Sequence, residues 1–313
     1  MTNLPRVGQS AELGRAFVQS DFDRFAAISG DDNPIHVDPA FSARTKFGRT
    51  VAHGMFLYSV LCGVLSTRLP GPGTLQLEQE LMFPNPTYTG EEVTARVEVT
   101  EVDEEGGIAA LTTVLLRADG RPGLDGRTRV RLRGWPGMET RPTKDRSGNQ
   151  AGRGPGMETR PTKEEPGAET RPTAGVGLRG LALGQRAETR RVFSARDLAE
   201  YVDLARDPNP LFTDESFARR QGQDGLLVPG GLLGGMVSFL LGTRLPGQGT
   251  NYLKQRLEFP APACTGRELV ATVEVVRLRP EKQLVNLATT VWDRAGTIVC
   301  RGEALVLVSD VGV

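Results

Sequence analysis

Histidine is almost missing from this 313-residue chain, which has only His36 and His53. Cysteine is nearly as scarce. Cys62, Cys264 and Cys300 stand in no metal-like spacing and are odd in number, which reads as a reduced, intracellular protein. An excess of charge of either sign is also lacking: 38 basic residues face 38 acidic ones, so nothing favours nucleic acid or an anionic membrane surface as partner. The longest apolar run, GMFLYSVLCGVL at 54–65, is too short to span a bilayer and suits a buried helix. The opening MTNLPRVGQSAELGR lacks the apolar core of a secretory signal. Together these absences predict a cytoplasmic protein, long enough for two domains of ordinary size.

What is present is a duplication. TRLPGPGT at 67–74 returns as TRLPGQGT at 243–250, and LMFPNPTYTGEEVTARVEV at 81–99 returns as LEFPAPACTGRELVATVEV at 257–275. SGDDNPIHVDPAF at 29–41 returns as ARDPNPLFTDESF at 205–217. Each pair is offset by 176 residues, so the alignment needs no gap over that region. The chain is two copies of one domain, expected over 1–135 and 181–313. Between them, 136–180 repeats METRPTK at 138–144 and 157–163 and is dominated by Gly, Pro, Arg, Glu and Thr. Such a stretch has too little apolar surface to offset the entropy of ordering, and it reads as a flexible linker.

Within a copy, the pattern predicts a short strand at 14–18 and a helix over 20–29 capped by Ser20 or Asp21. An acidic Asn-Pro loop comes next. An apolar helix then runs from about His53 to Leu69, where PGPG stops it, and a run of alternating strands follows. This is an α+β domain with an antiparallel sheet against one long helix. The repeated PGxG ends a helix rather than opening one, so it is a turn and not a phosphate loop.

Both histidines fall within eighteen residues of each other, beside acids and glycines. Asp31 and His36 flank Asn33-Pro34, and the proline holds Asn33 extended. A carboxylate and an imidazole aimed at one point can hold a water, one group removing a proton and the other delivering one. Gly54 opens the apolar helix, where free N–H groups and the positive dipole end would stabilise an oxyanion. These parts describe either hydrolysis of an acyl group or addition of water to a conjugated double bond, and the acid–base pair leans toward addition. Alone, Asp31 reads as a turn or capping aspartate and His36 equally as a structural histidine; the spacing of the set is what favours function. Asp32 and Asp38 read as solvated loop acids, Cys264 and Cys300 as packing residues.

The run FAAISGDDNPIHVDPAFSARTKFGRTVAHGM at 25–55 resembles the hydratase 2 motif of the MaoC-like (R)-specific enoyl-CoA hydratases, with its Gly-Asp-x-Asn-Pro-x-His core, Phe47 and the closing His-Gly-Met. The resemblance extends over each copy and implies a tandem hot-dog fold, each copy a curved antiparallel sheet wrapped around one long helix. It implies that Asp31 and His36 are the catalytic pair and that the Gly54 amide is the oxyanion donor. Asn33, His53, Met55 and Cys62 are expected at the substrate, with Asn33 ordering the loop and His53 positioning the helix start. Position 62 is often serine in single-domain relatives, so Cys62 is a departure that would alter substrate fit. The implied reaction is reversible hydration of a trans-2-enoyl-CoA to the (R)-3-hydroxyacyl-CoA, with coenzyme A as part of the substrate and no metal or other cofactor.

In the second copy Asp207, Asn209 and Pro210 remain, but Phe212 stands at the histidine position and Pro229-Gly230 replaces His-Gly. Phe212 cannot transfer a proton and is expected to fill the space of the acid–base pair. The second copy is therefore expected to be catalytically dead and to complete a pseudo-dimer within one chain, with homodimerisation left open. In eukaryotic tandem relatives the live copy is usually the second, so the order is reversed. A 3-hydroxyacyl-acyl carrier protein dehydratase and a mesaconyl-type dicarboxyl-CoA hydratase use the same chemistry. A hot-dog thioesterase, which lacks the Asp-x-Asn-Pro-x-His loop, and a non-catalytic acyl-CoA-binding protein are the readings from other classes.

Overall fold

The computed structural model describes residues 4–133, 178 and 180–308. Apart from Leu178 and Gly180, the linker expected over 136–180 and its METRPTK repeats lie outside the described residues.

In the first copy, β1 (Ser10–Ala16) leads into α1 (Gln19–Ser29). β1 begins at Ser10 rather than near Gly14, because its ladder on a later strand runs from Ser10 opposite Glu98 to Ala16 opposite Glu92. α1 begins earlier than expected. Asp21 lies inside it and its carboxylate accepts from the Val18 N–H at 3.1 Å, closing the helix start from within. Gly30, at φ +84°, ends the helix in the left-handed conformation that glycine adopts without strain.

The Asn-Pro loop is not irregular. It holds two short helices, α2 (Pro34–Val37) and α3 (Pro39–Ala43), each opened by an Asx-Pro pair. Asn33 Oδ1 accepts from Ile35 N, Asp38 Oδ1 accepts from Phe41 N, and the proline at each first position has no N–H to leave unpaired. α4 (Gly54–Thr67) follows, buried on every side from Met55 to Ser66. Then come β2 (Leu75–Met82), β3 (Glu92–Asp103), β4 (Ile108–Arg117) and β5 (Pro122–Arg131). The second copy repeats the order with β6 (Arg186–Val192), α5 (Ala195–Ala205), α6 (Pro210–Thr213), α7 (Glu215–Arg220), α8 (Gly230–Thr243), β7 (Asn251–Glu258), β8 (Glu268–Arg279), β9 (Leu284–Asp293) and β10 (Ile298–Leu307).

All ten strands form one antiparallel sheet in the order β1-β3-β4-β5-β2-β7-β10-β9-β8-β6. Bulges in β2, β3, β4 and their partners bend it around α4 and α8, as in the tandem hot-dog arrangement implied above. The copies meet where β2 pairs with β7. There Glu80 faces Arg256, its own counterpart 176 residues on, so an approximate two-fold axis runs through that pair. α4 and α8 also pack on each other. A Cβ on Gly234 would lie 2.5 Å from Met55 Sδ and one on Gly231 would lie 2.2 Å from Ser59 Oγ, so small residues set how closely the helices approach. One apolar core, including Phe25, Phe56, Met55, Leu232 and Met236, runs through both copies.

Candidate active site

α1 ends at Gly30, and the turn after it buries Asp31 almost completely, at 1 % exposure. α2 then places His36 beneath Val51. His36 Nδ1 lies 2.7 Å from the Val51 carbonyl, which can only accept, so Nδ1 carries the proton and Nε2 keeps its lone pair. His53 Nε2 donates in the same way to the Asp31 carbonyl at 2.8 Å. The two imidazoles stack at 3.8 Å between centroids, 28° from parallel.

Asp31, His36 and His53 offer polar atoms all within 4.8 Å of one another. A shared metal ion does not fit that geometry, because the in-plane lone pairs of stacked rings run side by side instead of converging, and each ring already commits one nitrogen to a carbonyl.

The carboxylate of Asp31 is held from the other copy. Ser238, on α8, donates to Oδ2 at 2.6 Å, while Oδ1 is buried with no partner among the described residues. Asn33 Nδ2 donates to the Gly242 carbonyl, also on α8, at 3.2 Å. A Cβ on Gly242 would sit 2.9 Å from Asn33 Nδ2 and 3.6 Å from Asp31 Oδ1, so the glycine leaves room for both. Burial pushes the Asp31 carboxyl up against the lowering effects of His36, Ser238 and the Asn33 N–H. Burial also pushes the His36 imidazole down, with Asp31 opposing. His53 is driven well below the usual histidine range by burial and by its neighbour His36.

These groups border a pocket of about 160 Å³. Asp31, Asn33, His36, Phe47 and Gly54 line it from the first copy, and Ser238, Gly242 and Tyr252 from the second. Gly54 is the first residue of α4, so its N–H has no partner within the helix. The pocket therefore brings together an unpaired carboxylate oxygen, an imidazole with a free lone pair and a helix N-terminus, enclosed by apolar side chains.

Not every residue expected at the substrate lines this pocket. His53 lies behind His36, fully buried, and orders the Asp31 loop through its carbonyl. Met55 sits in the seam between α4 and α8, against Gly234. Cys62 lines a different pocket, formed around the second copy, and burial raises its thiol far above the usual range. Ser238, 176 residues after Cys62, is the serine that reaches Asp31. The offset supplied the signal that would have found it, had position 62 been read across the copies instead of within one.

That second pocket repeats the first, with Asp207, Asn209, Phe212 and Gly230 from its own copy and Cys62 and Ser66 from the other. Ser66 donates to Asp207 Oδ1, the oxygen that in Asp31 has no partner. Phe212 packs edge-on to Tyr201 at 6.3 Å and lines the pocket, which has about 260 Å³.

Residues 3–117 match the MaoC-like domain and residues 183–301 match a FAS1-like dehydratase domain region. The chain is 45 % identical over 126 residues to an (R)-specific enoyl-CoA hydratase of Aeromonas caviae, covering 94 % of that protein and 40 % of this chain. A solved structure titled MaoC-like dehydratase superposes with TM-score 0.72 at 20 % identity, over 97 % of this chain and 99 % of the other. A Mycobacterium tuberculosis protein described as having a double hotdog fold superposes with TM-score 0.68 at 16 % identity, over 97 % and 96 %. At those identities the two structures speak for the fold alone.

Proposed function

Since the chain belongs to the MaoC-like dehydratase family, we propose that its first copy is a hydro-lyase that adds water reversibly to a trans-2-enoyl-CoA, giving the (R)-3-hydroxyacyl-CoA. The observation that carries this reading is the buried Asp31–His36 pair, with one carboxylate oxygen unpaired and one ring nitrogen free, facing one pocket at the head of α4.

Water sits between Asp31 Oδ1 and His36 Nε2. Burial holds His36 neutral, so Nε2 takes a proton from the water as its oxygen bonds to C3. The thioester oxygen gains negative charge and is stabilised by the Gly54 N–H at the positive end of α4. Asp31, whose carboxyl burial pushes up, delivers the proton to C2. Ser238 fixes the orientation of that carboxyl, and the apolar wall of Phe47, Leu57 and Phe83 encloses the chain. No step requires a redox or metal cofactor; coenzyme A enters as part of the substrate. No helix among the described residues is long and apolar enough to cross a membrane.

The reading is tested by following loss of enoyl-thioester absorbance with a panel of trans-2-enoyl-CoAs, with chiral analysis of the product. Activity with an (R) product that falls at least a thousandfold in both Asp31→Asn and His36→Ala is the expected result. Release of free thiol without hydration would replace the lyase with a thioesterase.

A further inference from the structure

The two pockets correspond residue for residue at the 176-residue offset: Asp31 with Asp207, Gly54 with Gly230, Phe83 with Phe259, Gly123 with Val299. They share no lining residue, so one can be filled while the other is empty. A copy that had only lost its role would be free to close this space. Instead the second pocket is the larger, about 260 Å³ against about 160 Å³.

Its polarity is also rearranged instead of erased. Where the first pocket has His36 and Phe47, the second has Phe212 and Gln223, an exchange of the polar and the aromatic position. Gln223 is 8 % exposed. Its Nε2 donates to the Gln221 carbonyl at 3.2 Å, while its Oε1 is buried with no partner among the described residues. A buried acceptor without a donor is costly, and a ligand hydroxyl or amide N–H entering the pocket would satisfy it. At the other side Gly230 opens α8 with an N–H that has no partner within the helix, placed as Gly54 is in the live site. Between them Phe259, Leu233 and Val299 form an apolar wall.

What is missing is the means to react. Phe212 has no proton to move, and Ser66 occupies the Asp207 oxygen that would hold a water. We propose that the second pocket is a standing, non-catalytic binding site for an acyl thioester, with the thioester oxygen at the Gly230 N–H and a hydroxyl or pantetheine amide at Gln223. The ligand class rests on the lyase reading of the first site.

The test is equilibrium titration of the full chain with hexanoyl-CoA, which has no double bond to hydrate. Two equivalents bound per chain are expected. Ala261→Trp, which puts an indole into the second pocket, should bind one, and so should Asn85→Trp, the same change in the first pocket. Gln223→Leu should weaken one of the two equivalents about tenfold and leave the other, and it needs no cavity to be filled. A single equivalent in the unaltered chain, or two still bound by Ala261→Trp, overturns the proposal. An active hydratase that binds one equivalent loses the second site alone. A chain that hydrates nothing yet binds two keeps the second site and loses the lyase.

Discussion

Asp31 and Asp207 are the same residue in two settings, and their partners set them apart. Ser238 holds one oxygen of Asp31 and leaves the other bare, whereas Ser66 holds the oxygen of Asp207 that corresponds to the bare one. Ser238→Ala removes a donor that favours the carboxylate, so the Asp31 carboxyl rises further. The alkaline limb of the pH–rate profile should move to higher pH while kcat falls roughly ten- to a hundredfold, the size of a hydrogen bond to an ionised group. A drop in kcat with an unmoved profile would leave Ser238 a packing role only. Asp207 makes the opposite case. Burial pushes its carboxyl up to about 6. Between the usual carboxylate value and 6 the folded chain holds a proton that the unfolded chain has lost, so stability falls as pH rises through that window. Above 6 the full penalty, on the order of 3 kcal/mol, is present. Asp207→Asn should therefore raise the melting temperature at pH 7, and the gain should vanish by pH 4. Equal gains at both values would contradict the assignment.

At the scale of elements, the loop that carries Asp31 and His36 is stiffened by two helical turns, each started by an Asx-Pro pair. Asp38→Ala removes one cap and should cost about 1 kcal/mol of stability with little loss of turnover, because Asp38 is exposed and does not line the pocket. Asn33→Ala removes the other cap together with the bond to Gly242, so hydration should suffer along with melting temperature. Finding the two variants alike in activity would separate Asn33 from the site. These turns were legible in hindsight: Asn-Pro and Asp-Pro are helix-start pairs, yet four- and five-residue helices leave no periodicity to read. The long apolar helix and the strands were legible, since burial on one face or on all faces writes itself into hydropathy. The start of β1 was not, because pairing with β3 sets it and its exposed alternation carries little signal.

At the scale of the molecule, the 176-residue repeat announced two copies but not how they dock. Docking depends on the β2–β7 pairing and on Gly231 and Gly234 letting α8 approach α4, contacts that no local pattern encodes. That is why Cys62 was expected at the first site and Ser238 went unnoticed. Each pocket takes its loop from one copy and its serine-bearing helix from the other. Residues 1–135 and 181–313 produced as two chains should therefore be far less active separately than when co-expressed. Full activity from 1–135 alone would show that α8 is dispensable.

The crossing of Ser238 to Asp31 and of Ser66 to Asp207 has a consequence for descent. In a dimer of identical chains every substitution is made twice, so a change that spoils one catalytic centre spoils both. Once the two halves share one reading frame, a mutation lands on one centre only. Cys62 and Ser66 could then drift, or be selected, without touching Ser238 and Gly242, which attend Asp31 from the other half. The Asp31 pocket draws Ser238 and Gly242 from the half that lacks the histidine, and that dependence would keep selection acting on it.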